Sequence, residues 1–499
     1  MRRILTATAA VAALVLTGPA ADAAPAPGSL GIGDSYFPEY GNGGYDVGHY
    51  DIRLRYFPDT DLLAGTTTIL ATATQELSTF NLDFVLDVSS VRVNNRAATF
   101  ARQGDHELVV TPARPLAVGA AMTVVVQYSG IPSQKVASGF TSWSRTADGA
   151  VAVNEPEIAW WWFPSNDHPL DKATFDVSVL VPNSIQAISN GRQPTAPVPE
   201  ITGWSRWSWR ETRPTATYLA FLVMGRYDIE TDTAADGTPI VTAYSANLGD
   251  SEGAARASVE RTSEIVEWET GFFGPYPYDA MGGVVTAPAA FGFALENVSR
   301  PVYDGLFWRR AADTFVVVHE NAHQWFGDSV AVADWKDIWL NEGFATYAEW
   351  LWSEEQGEGT VQEVADATYA ARPADSAFWQ IRPGDPTPAR MFNAAVYDRG
   401  ALTLHALRLA VGDDAFFKIL RTWATTKKDG NGSTAQFEAL AEQISGKPLL
   451  QLFNTWLFTP GRPAAPSPAA ARLAAGAKPT VPESYAKIQQ SHALLAHQR

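Results

Sequence analysis

Hydrophobic and polar residues alternate along much of the first half of the chain, which is the pattern of β-strands with one buried face. Further runs of β-forming residues lie at 108–110, 122–126, 171–181 and 217–223, with turn residues between many of the runs. The clearest alternation places large apolar side chains at every second position: Tyr50, Ile52, Leu54 and Tyr56, and then Phe80, Leu82, Phe84, Leu86 and Val88. We therefore predict an antiparallel all-β domain over residues 24–235.

From about residue 250 the apolar positions recur every three to four residues, as they do on one face of a helix. The helices predicted from this period cover residues 252–270, 313–325, 339–353, 400–411 and 435–444. The change of period predicts a second, mainly helical domain over residues 236–460.

The two ends of the chain differ from these regions. Arg2 and Arg3 precede an apolar stretch at 4–16 and a small-residue site at 21–23, as in an export signal. We therefore predict a signal peptide over residues 1–23 and a secreted, extracellular protein with no membrane anchor after signal removal. Residues 461–499 are rich in Ala and Pro, which is typical of a linker and tail. A short helix near 482–499 fits the sequence, and no function is assigned to it.

Composition excludes several classes of function. The 499 residues include no cysteine, which rules out a thiol nucleophile, thiolate metal ligands and a disulfide framework. The net charge of −17 argues against nucleic acid as a partner, because binding to phosphates needs clustered Lys and Arg.

The most informative motif is His-Glu-Asn-Ala-His at 319–323, within a predicted helix. His319 and His323 lie one turn apart on one face, so both imidazoles can bind one metal ion, and Glu320 points beside that ion. The apolar flanks predict burial, and a metal gives these buried polar groups a partner. The alternative is an ordinary helix with two surface histidines. A third ligand from a later segment would leave one position open for water, as in catalytic zinc sites, so we predict one Zn²⁺ per chain and metal-assisted hydrolysis.

The chain resembles the zinc aminopeptidases of the aminopeptidase N family (gluzincins), including exported bacterial forms. The resemblance runs over residues 45–457 and is carried by segments in the family's order: 155–156, 162–169, 171–174, 291–297, 319–323, 339–345 and 396–400. It implies a multidomain fold, with an N-terminal antiparallel all-β domain followed by a thermolysin-like α+β, mainly helical zinc-peptidase domain over 236–460.

The resemblance also implies roles for individual residues. Glu342 lies in the segment Trp-Leu-Asn-Glu-Gly, downstream of His323. It occupies the family's position for the third metal ligand, in addition to His319 and His323. Glu320 becomes the general base and acid, and Tyr397 becomes the donor to the oxyanion. The alternatives are a helix-start acid for Glu342 and an ordinary buried tyrosine for Tyr397.

The resemblance also implies that two further acidic residues bind the free N-terminus of the substrate. Glu155 and Glu296 occupy the positions that bind the α-amine, and Ala294 belongs to the same substrate-binding strand. This strand departs from the family, because Phe293 stands where the family has Gly and Leu295 where it has Met. A bulky side chain in place of Gly affects how closely the backbone approaches substrate, so side-chain preference is left open. The alternative for each glutamate is an ordinary acidic residue of a loop or strand, without a role in substrate binding.

These residues favour a secreted zinc aminopeptidase, in which a water molecule activated by zinc attacks the first bond of peptides with a free N-terminus. Two other classes stay open: a zinc endopeptidase of the same superfamily, and an inactive binding protein on this scaffold. The resemblance ends near residue 460, so we expect a more open active site than in members that carry a large C-terminal helical domain. The sequence does not indicate the oligomeric state.

Overall fold

The structure is a computed structural model and describes residues 24–465 and 481–495. The predicted signal peptide at 1–23 lies outside the described residues, so it stays a prediction. Among the residues that are described, no helix combines the length and apolar character needed to span a membrane.

The first half of the chain is built around an eleven-stranded sheet. Most neighbouring strands are antiparallel, but Ala26–Pro27 runs parallel to Leu77–Asp83 and Tyr45–Phe57 runs parallel to Ala173–Pro182. The spatial order of the strands is Ala26–Pro27, Leu77–Asp83, Glu107–Thr111, Arg96–Gln103, Asp87–Val93, Ala121–Gly130, Leu62–Ala73, Tyr45–Phe57, Ala173–Pro182, Trp204–Thr215 and Val198–Ile201. The alternating residues Tyr50, Ile52, Leu54 and Tyr56 are all buried, as their period requires.

Two of the predicted strand runs differ in detail. The run at 80–88 is split between Leu77–Asp83 and Asp87–Val93, because the backbone N–H groups of Phe84 and Val85 leave the sheet to donate to the carbonyls of His106 and Trp160. The run at 217–223 forms a 3₁₀ turn at Thr217–Leu219 and then the strand Leu222–Gly225.

Three smaller sheets complete the β-structure. A four-stranded sheet has the order Gln186–Ile188, Leu222–Gly225, Ala150–Ala152 and Trp143–Arg145. A five-stranded sheet has the order Tyr227–Thr233, Pro239–Ser245, Met281–Thr286, Val302–Asp304 and Ala294–Leu295, and it begins before the predicted boundary at 235. Val330–Val332 pairs in parallel with Gly430–Gly432.

The second half is mainly helical. The α-helices of the described residues are Glu252–Val259, Thr262–Phe273, Phe315–Ala322, Trp339–Glu355, Val361–Ala370, Ala394–Val411, Asp413–Thr426, Thr434–Ser445, Leu450–Phe453 and Glu483–Leu495. The helix predicted at 252–270 is therefore two helices. The helix predicted at 400–411 begins earlier, where the side chain of Asn393 accepts a hydrogen bond from the N–H of Ala395, and it thereby includes Tyr397.

The two halves are joined by polar contacts that are partly or fully buried. Lys172 of the N-terminal half donates to the backbone carbonyls of Asp328, Ser329 and Gly430, at 2.8, 3.0 and 2.8 Å. Asp34 accepts from the N–H of Trp335 at 2.8 Å. These contacts hold the β-rich half against the face of the helical half that carries the metal motif. The predicted fold class is confirmed, whereas the predicted domain boundaries stay predictions.

Candidate active site

The metal motif lies on a short, fully buried helix, Phe315–Ala322, in which His323 is the C-terminal capping residue. The carboxylate of Asp313 accepts from the N–H of Phe315 at 2.9 Å and satisfies one free donor at the start of this helix. The rings of His319 and His323 face the same side, with their centroids 4.9 Å apart. The one-turn spacing in the sequence therefore brings both imidazoles to one point.

The second ring nitrogen of each histidine is already bonded. Nδ1 of His323 lies 3.0 Å from the carbonyl oxygen of Phe326, which can only accept, so Nδ1 carries the proton. Nδ1 of His319 lies 2.5 Å from Oε1 of Glu349. Both Nε2 atoms are left to face Oε2 of Glu342, at 3.2 Å from His319 and 3.5 Å from His323.

This donor set fits a divalent metal. The ligand atoms of His319, His323 and Glu342 all lie within 4.8 Å of one another, and all three residues are buried. With each Nδ1 acting as a donor, two nitrogen lone pairs and a carboxylate oxygen point at one another, an arrangement that a cation between them stabilises. Burial raises the pKa of Glu342, but the neighbouring side chains of His323 and His319 outweigh it and lower the pKa to about 2, so this carboxylate is ionised.

Glu320 lies beside this group and faces inward. Its Oε1 has no hydrogen-bond partner among the described residues, although the residue is buried. Burial raises the pKa of Glu320 to about 8, against the opposing effect of His319 and His323. A buried carboxyl whose pKa lies near neutral can both accept and release a proton.

Tyr397, in the first turns of the helix Ala394–Val411, packs against the metal helix. Its ring lies 5.9 Å from that of His319 with 21° between the planes. Burial and the charge of Glu342 raise the pKa of Tyr397 well above its usual value, so the phenol keeps its proton. The structure thus brings a buried O–H group next to a predicted metal ligand.

Glu155 and Glu296 reach the same region from two other segments. Both oxygens of Glu155 lack a hydrogen-bond partner among the described residues, and burial followed by the charge of Glu296 raises its pKa well above the usual range. Oε1 of Glu296 accepts from the hydroxyl of Tyr218 at 3.3 Å, and ligand atoms of Glu296, Glu320 and His323 lie within 4.8 Å of one another. Two buried acids, of which Glu155 has no hydrogen-bond partner among the described residues, form a site that a cationic donor would satisfy.

The position of Phe293 shows how the strand accommodates a bulky residue where the family has Gly. Phe293 and Leu295 belong to a small hydrophobic cluster, where Phe293 meets Phe291 with ring centroids 4.7 Å apart. Ala294 belongs instead to the main core around the metal helix. Since successive residues of an extended chain point to opposite faces, the bulky Phe293 side chain points away from the face that carries Ala294 and Glu296.

Sequence reasoning missed several residues that support these side chains. Glu349 follows Glu342 by seven residues, two helical turns, and that spacing is a signal that it shares the same face. Gln324 follows the motif directly, and its Nε2 donates to the carbonyl of Glu296 at 3.0 Å. His492 ion-pairs with Glu349, and no feature of the sequence pointed to it.

Comparison with known families agrees with the order of these segments. Residues 47–219 match the sequence profile of the Peptidase M1 N-terminal domain, and residues 258–456 match that of the Peptidase family M1 domain. The second match contains the metal helix, the Glu342 helix and Tyr397. It ends before the last helix of the chain.

Curated relatives share these domains at lower identity. Aminopeptidase M1-C of Oryza sativa subsp. japonica is 26% identical over 476 residues, which cover 88% of this chain and 52% of the relative. Aminopeptidase M1 of Arabidopsis thaliana is 26% identical, over 83% of this chain and 50% of the relative. The chain thus spans about half the length of the curated relatives it matches.

Solved structures match over nearly their whole length. The M1 zinc metallopeptidase of Deinococcus radiodurans superposes with a TM-score of 0.78 at 32% identity, covering 88% of this chain and 99% of that one. A mutant of the Deinococcus radiodurans metallopeptidase, solved with a Tyr-Ser-Ala substrate, gives the same TM-score and identity over 88% and 100%. Since both family domains match in order and a solved member matches from end to end, the chain belongs to the M1 family of peptidases.

Proposed function

We propose that this protein is a zinc-dependent aminopeptidase, which removes residues from the free N-terminus of peptides. The observation that carries the proposal is the convergence of Nε2 of His319, Nε2 of His323 and Oε2 of Glu342 within 4.8 Å of one another. A His₂Glu set is a donor set of catalytic rather than structural zinc sites. The relatives called aminopeptidases and the zinc metallopeptidase structures support the same activity.

Three residues would hold the metal, and two would carry the proton chemistry around it. A zinc ion bound by His319, His323 and Glu342 supplies a Lewis acid that polarises the scissile carbonyl and acidifies water. Glu320 takes the proton of the attacking water on its free Oε1 and transfers it to the leaving amine.

Tyr397 acts on the other atom that changes charge. As water adds to the scissile carbonyl, negative charge develops on the carbonyl oxygen, and a preorganised phenol O–H stabilises it without rearrangement. The raised pKa of Tyr397 keeps the proton on the phenol for this purpose.

The free amine of the substrate is assigned to Glu155 and Glu296. An α-ammonium group offers three N–H donors and one positive charge, which matches two buried carboxylates, of which Glu155 has two oxygens without a hydrogen-bond partner among the described residues. A blocked N-terminus leaves these acids without a partner, so the pair also accounts for selectivity against internal peptide bonds. Secretion remains part of the proposal, because the sequence predicts an export signal over residues 1–23.

Cleavage of one peptide with a free and with an acetylated N-terminus tests the proposal. We expect rapid loss of the first residue from the free peptide, little or no reaction of the acetylated one, and loss of activity in a chelator with recovery on adding Zn²⁺. Equal cleavage of both peptides would identify an endopeptidase. If the zinc-loaded protein cleaves no peptide, the result would favour the alternative of an inactive binding protein on this scaffold.

A further inference from the structure

The last helix of the chain, Glu483–Leu495, is built into the catalytic half. It lies beyond residue 456, where the match to the family domain ends. Ile488 and Leu495 are 1% exposed and belong to the main core. The hydroxyl groups of Ser353 and Ser484 are hydrogen-bonded at 2.7 Å, which fixes the start of the helix against the helix that carries Glu342.

His492 is the residue of this helix that reaches toward the active site. Its Nε2 lies 3.0 Å from both carboxylate oxygens of Glu349, and its Nδ1 lies 3.2 Å from Oδ1 of Asp398. The His492 side chain is 5% exposed, whereas those of Glu349 and Asp398 are 0% and 1% exposed. One imidazole is therefore hydrogen-bonded to Glu349 and lies within ion-pair distance of Asp398, without a hydrogen bond between Nδ1 and Oδ1. The two buried carboxylates come from different helices, and the guanidinium of Arg372 also donates to Asp398 at 3.1 Å.

Each of these carboxylates leads to one residue of the proposed mechanism. Glu349 holds Nδ1 of His319 at 2.5 Å and so sets the orientation of that ring. Asp398 is the neighbour of Tyr397 in the sequence. The His492 ring itself lies 6.1 Å from the ring of His319 and 5.8 Å from the ring of Tyr397.

A carboxylate that orients a metal-binding histidine must itself be held in place, because its position sets the direction of the imidazole lone pair. Glu349 is completely buried, and both of its oxygens are bonded to histidines. Without His492, one of the two carboxylate oxygens would lose its only contact with a hydrogen-bond donor among the described residues. A buried, partly unpaired carboxylate costs free energy and is free to turn.

We propose that His492 is a positioning residue, which fixes Glu349 and Asp398 and thereby orients His319 toward the metal and Tyr397 toward the substrate carbonyl. The C-terminal helix then completes the active site rather than serving as an appended tail. The catalytic part of this inference rests on the proposed peptidase function, but the effect on metal affinity does not.

Variants of the full-length protein test the role of His492. His492→Ala removes both contacts, and His492→Gln keeps an amide N–H donor for Glu349. His405→Ala is the matched control, because His405 is also buried in the helical half but bonds to Tyr347 and Gln362, away from the metal motif. The readouts are the dissociation constant of Zn²⁺ by chelator competition, the number of bound Zn²⁺ ions, Tm, and kcat and KM for an aminoacyl amide.

We expect His492→Ala to weaken Zn²⁺ binding about 10- to 100-fold, the usual effect of removing a group that orients a metal ligand, and to lower kcat more than it raises KM. His492→Gln should recover part of both losses. His405→Ala should lower Tm while the affinity for Zn²⁺ stays unchanged, which separates positioning from general destabilisation.

Several results would overturn the inference. An unchanged Zn²⁺ affinity and kcat in His492→Ala would mean that the helix only packs. Loss of one of two bound Zn²⁺ ions would make His492 a metal ligand, since His319, Glu349 and His492 also place ligand atoms within 4.8 Å. If His492→Ala does not fold, His492→Phe takes its place, because it keeps a ring in this position but has no N–H donor for Glu349. An unaltered affinity and kcat in His492→Phe together with a lowered Tm would likewise contradict the inference. A wild-type protein that binds Zn²⁺ but cleaves no peptide would defeat the proposed function, while the affinity series would still decide the role of His492.

Discussion

At the residue scale, the active site separates the tasks of its acids by their surroundings. Glu342 faces two histidines, which lower its pKa to about 2, whereas burial raises the pKa of Glu320 to about 8. The first is therefore a permanent anion suited to a cation, and the second is suited to proton transfer near neutral pH. The same amino acid, at two positions within one site, obtains two roles from its environment.

Tyr397→Phe tests the donor to the oxyanion. Loss of one such hydrogen bond should lower kcat by about 10²–10³-fold and leave KM nearly unchanged, since the bond forms in the transition state. Tyr347→Phe is the control, because Tyr347 is a buried tyrosine of the same half whose hydroxyl contacts His405. A change confined to KM, or an equal loss of kcat in both variants, would remove Tyr397 from the chemistry.

A buried acid of the β-rich half gives a pH prediction. Burial raises the pKa of Glu107 from 4.5 to about 8, so the folded protein holds this proton where the unfolded chain releases it. The contribution of Glu107 to stability is therefore complete below about pH 4.5 and is lost as the pH rises toward 8. Glu107→Gln, a neutral mimic of the protonated acid, should stabilise the fold at pH 8 relative to pH 5 by on the order of 2 kcal/mol.

The measurement is the difference in Tm between Glu107→Gln and the wild type, taken at both pH values. Glu267→Gln is the control, since Glu267 is exposed on the helix Thr262–Phe273. A difference in Tm for Glu107→Gln that is the same at pH 5 and pH 8 would contradict the prediction.

At the element scale, the site depends on how closely two helices approach. A Cβ added at Gly343 would lie 3.0 Å from the backbone Cα and carbonyl carbon of Gly400, which is closer than backbone atoms readily allow. Gly343 is the neighbour of Glu342, and Gly400 lies on the helix that carries Tyr397. The two glycines therefore set the distance between the metal ligand and the proposed oxyanion donor.

Gly343→Ala should push these helices apart. We expect a destabilisation of about 1–3 kcal/mol, the usual cost of overpacking, together with a lower kcat as Tyr397 moves from the metal ligands. Gly271→Ala is the matched control, since Gly271 also lies in a helix. Apart from its chain neighbours and the backbone of its own helix, no atom lies within 4 Å of a Cβ added there. That variant should be stabilised by about 0.5–1 kcal/mol, because Ala is the better helix former. Equal effects on Tm and kcat in the two variants would rule out the close approach as their cause.

At the scale of the whole molecule, the site is assembled from segments far apart in the chain. The β-rich half supplies Glu155, the segment directly after the edge strand Ala294–Leu295 supplies Glu296, and the helical half supplies the metal-binding groups and Tyr397. Lys172 holds the halves together by three bonds to backbone carbonyls. Correct placement of the amine-binding acids therefore requires both halves.

The part of this arrangement that local spacing determines could be predicted from the sequence. The positions of His319, Glu320 and His323 follow from one turn of helix, and the buried face of Tyr45–Phe57 follows from its period of two. The supporting residues depend on long-range packing, so their positions could not be predicted. His492 lies 143 positions from Glu349, and nothing in its Ala/Pro-rich neighbourhood indicated that it returns to the metal helix. Likewise, the break between Glu252–Val259 and Thr262–Phe273 lies within a continuous helical period.

The most direct test of the account is the zinc content of the purified protein, determined by elemental analysis for the wild type, Glu320→Gln and Glu342→Gln. The account predicts one zinc ion per folded chain in the wild type and in Glu320→Gln, with turnover nearly abolished in the latter. It predicts a strongly reduced zinc content in Glu342→Gln, because the anionic ligand is lost. A folded wild-type protein that contains no stoichiometric zinc and binds none when it is supplied would contradict the account.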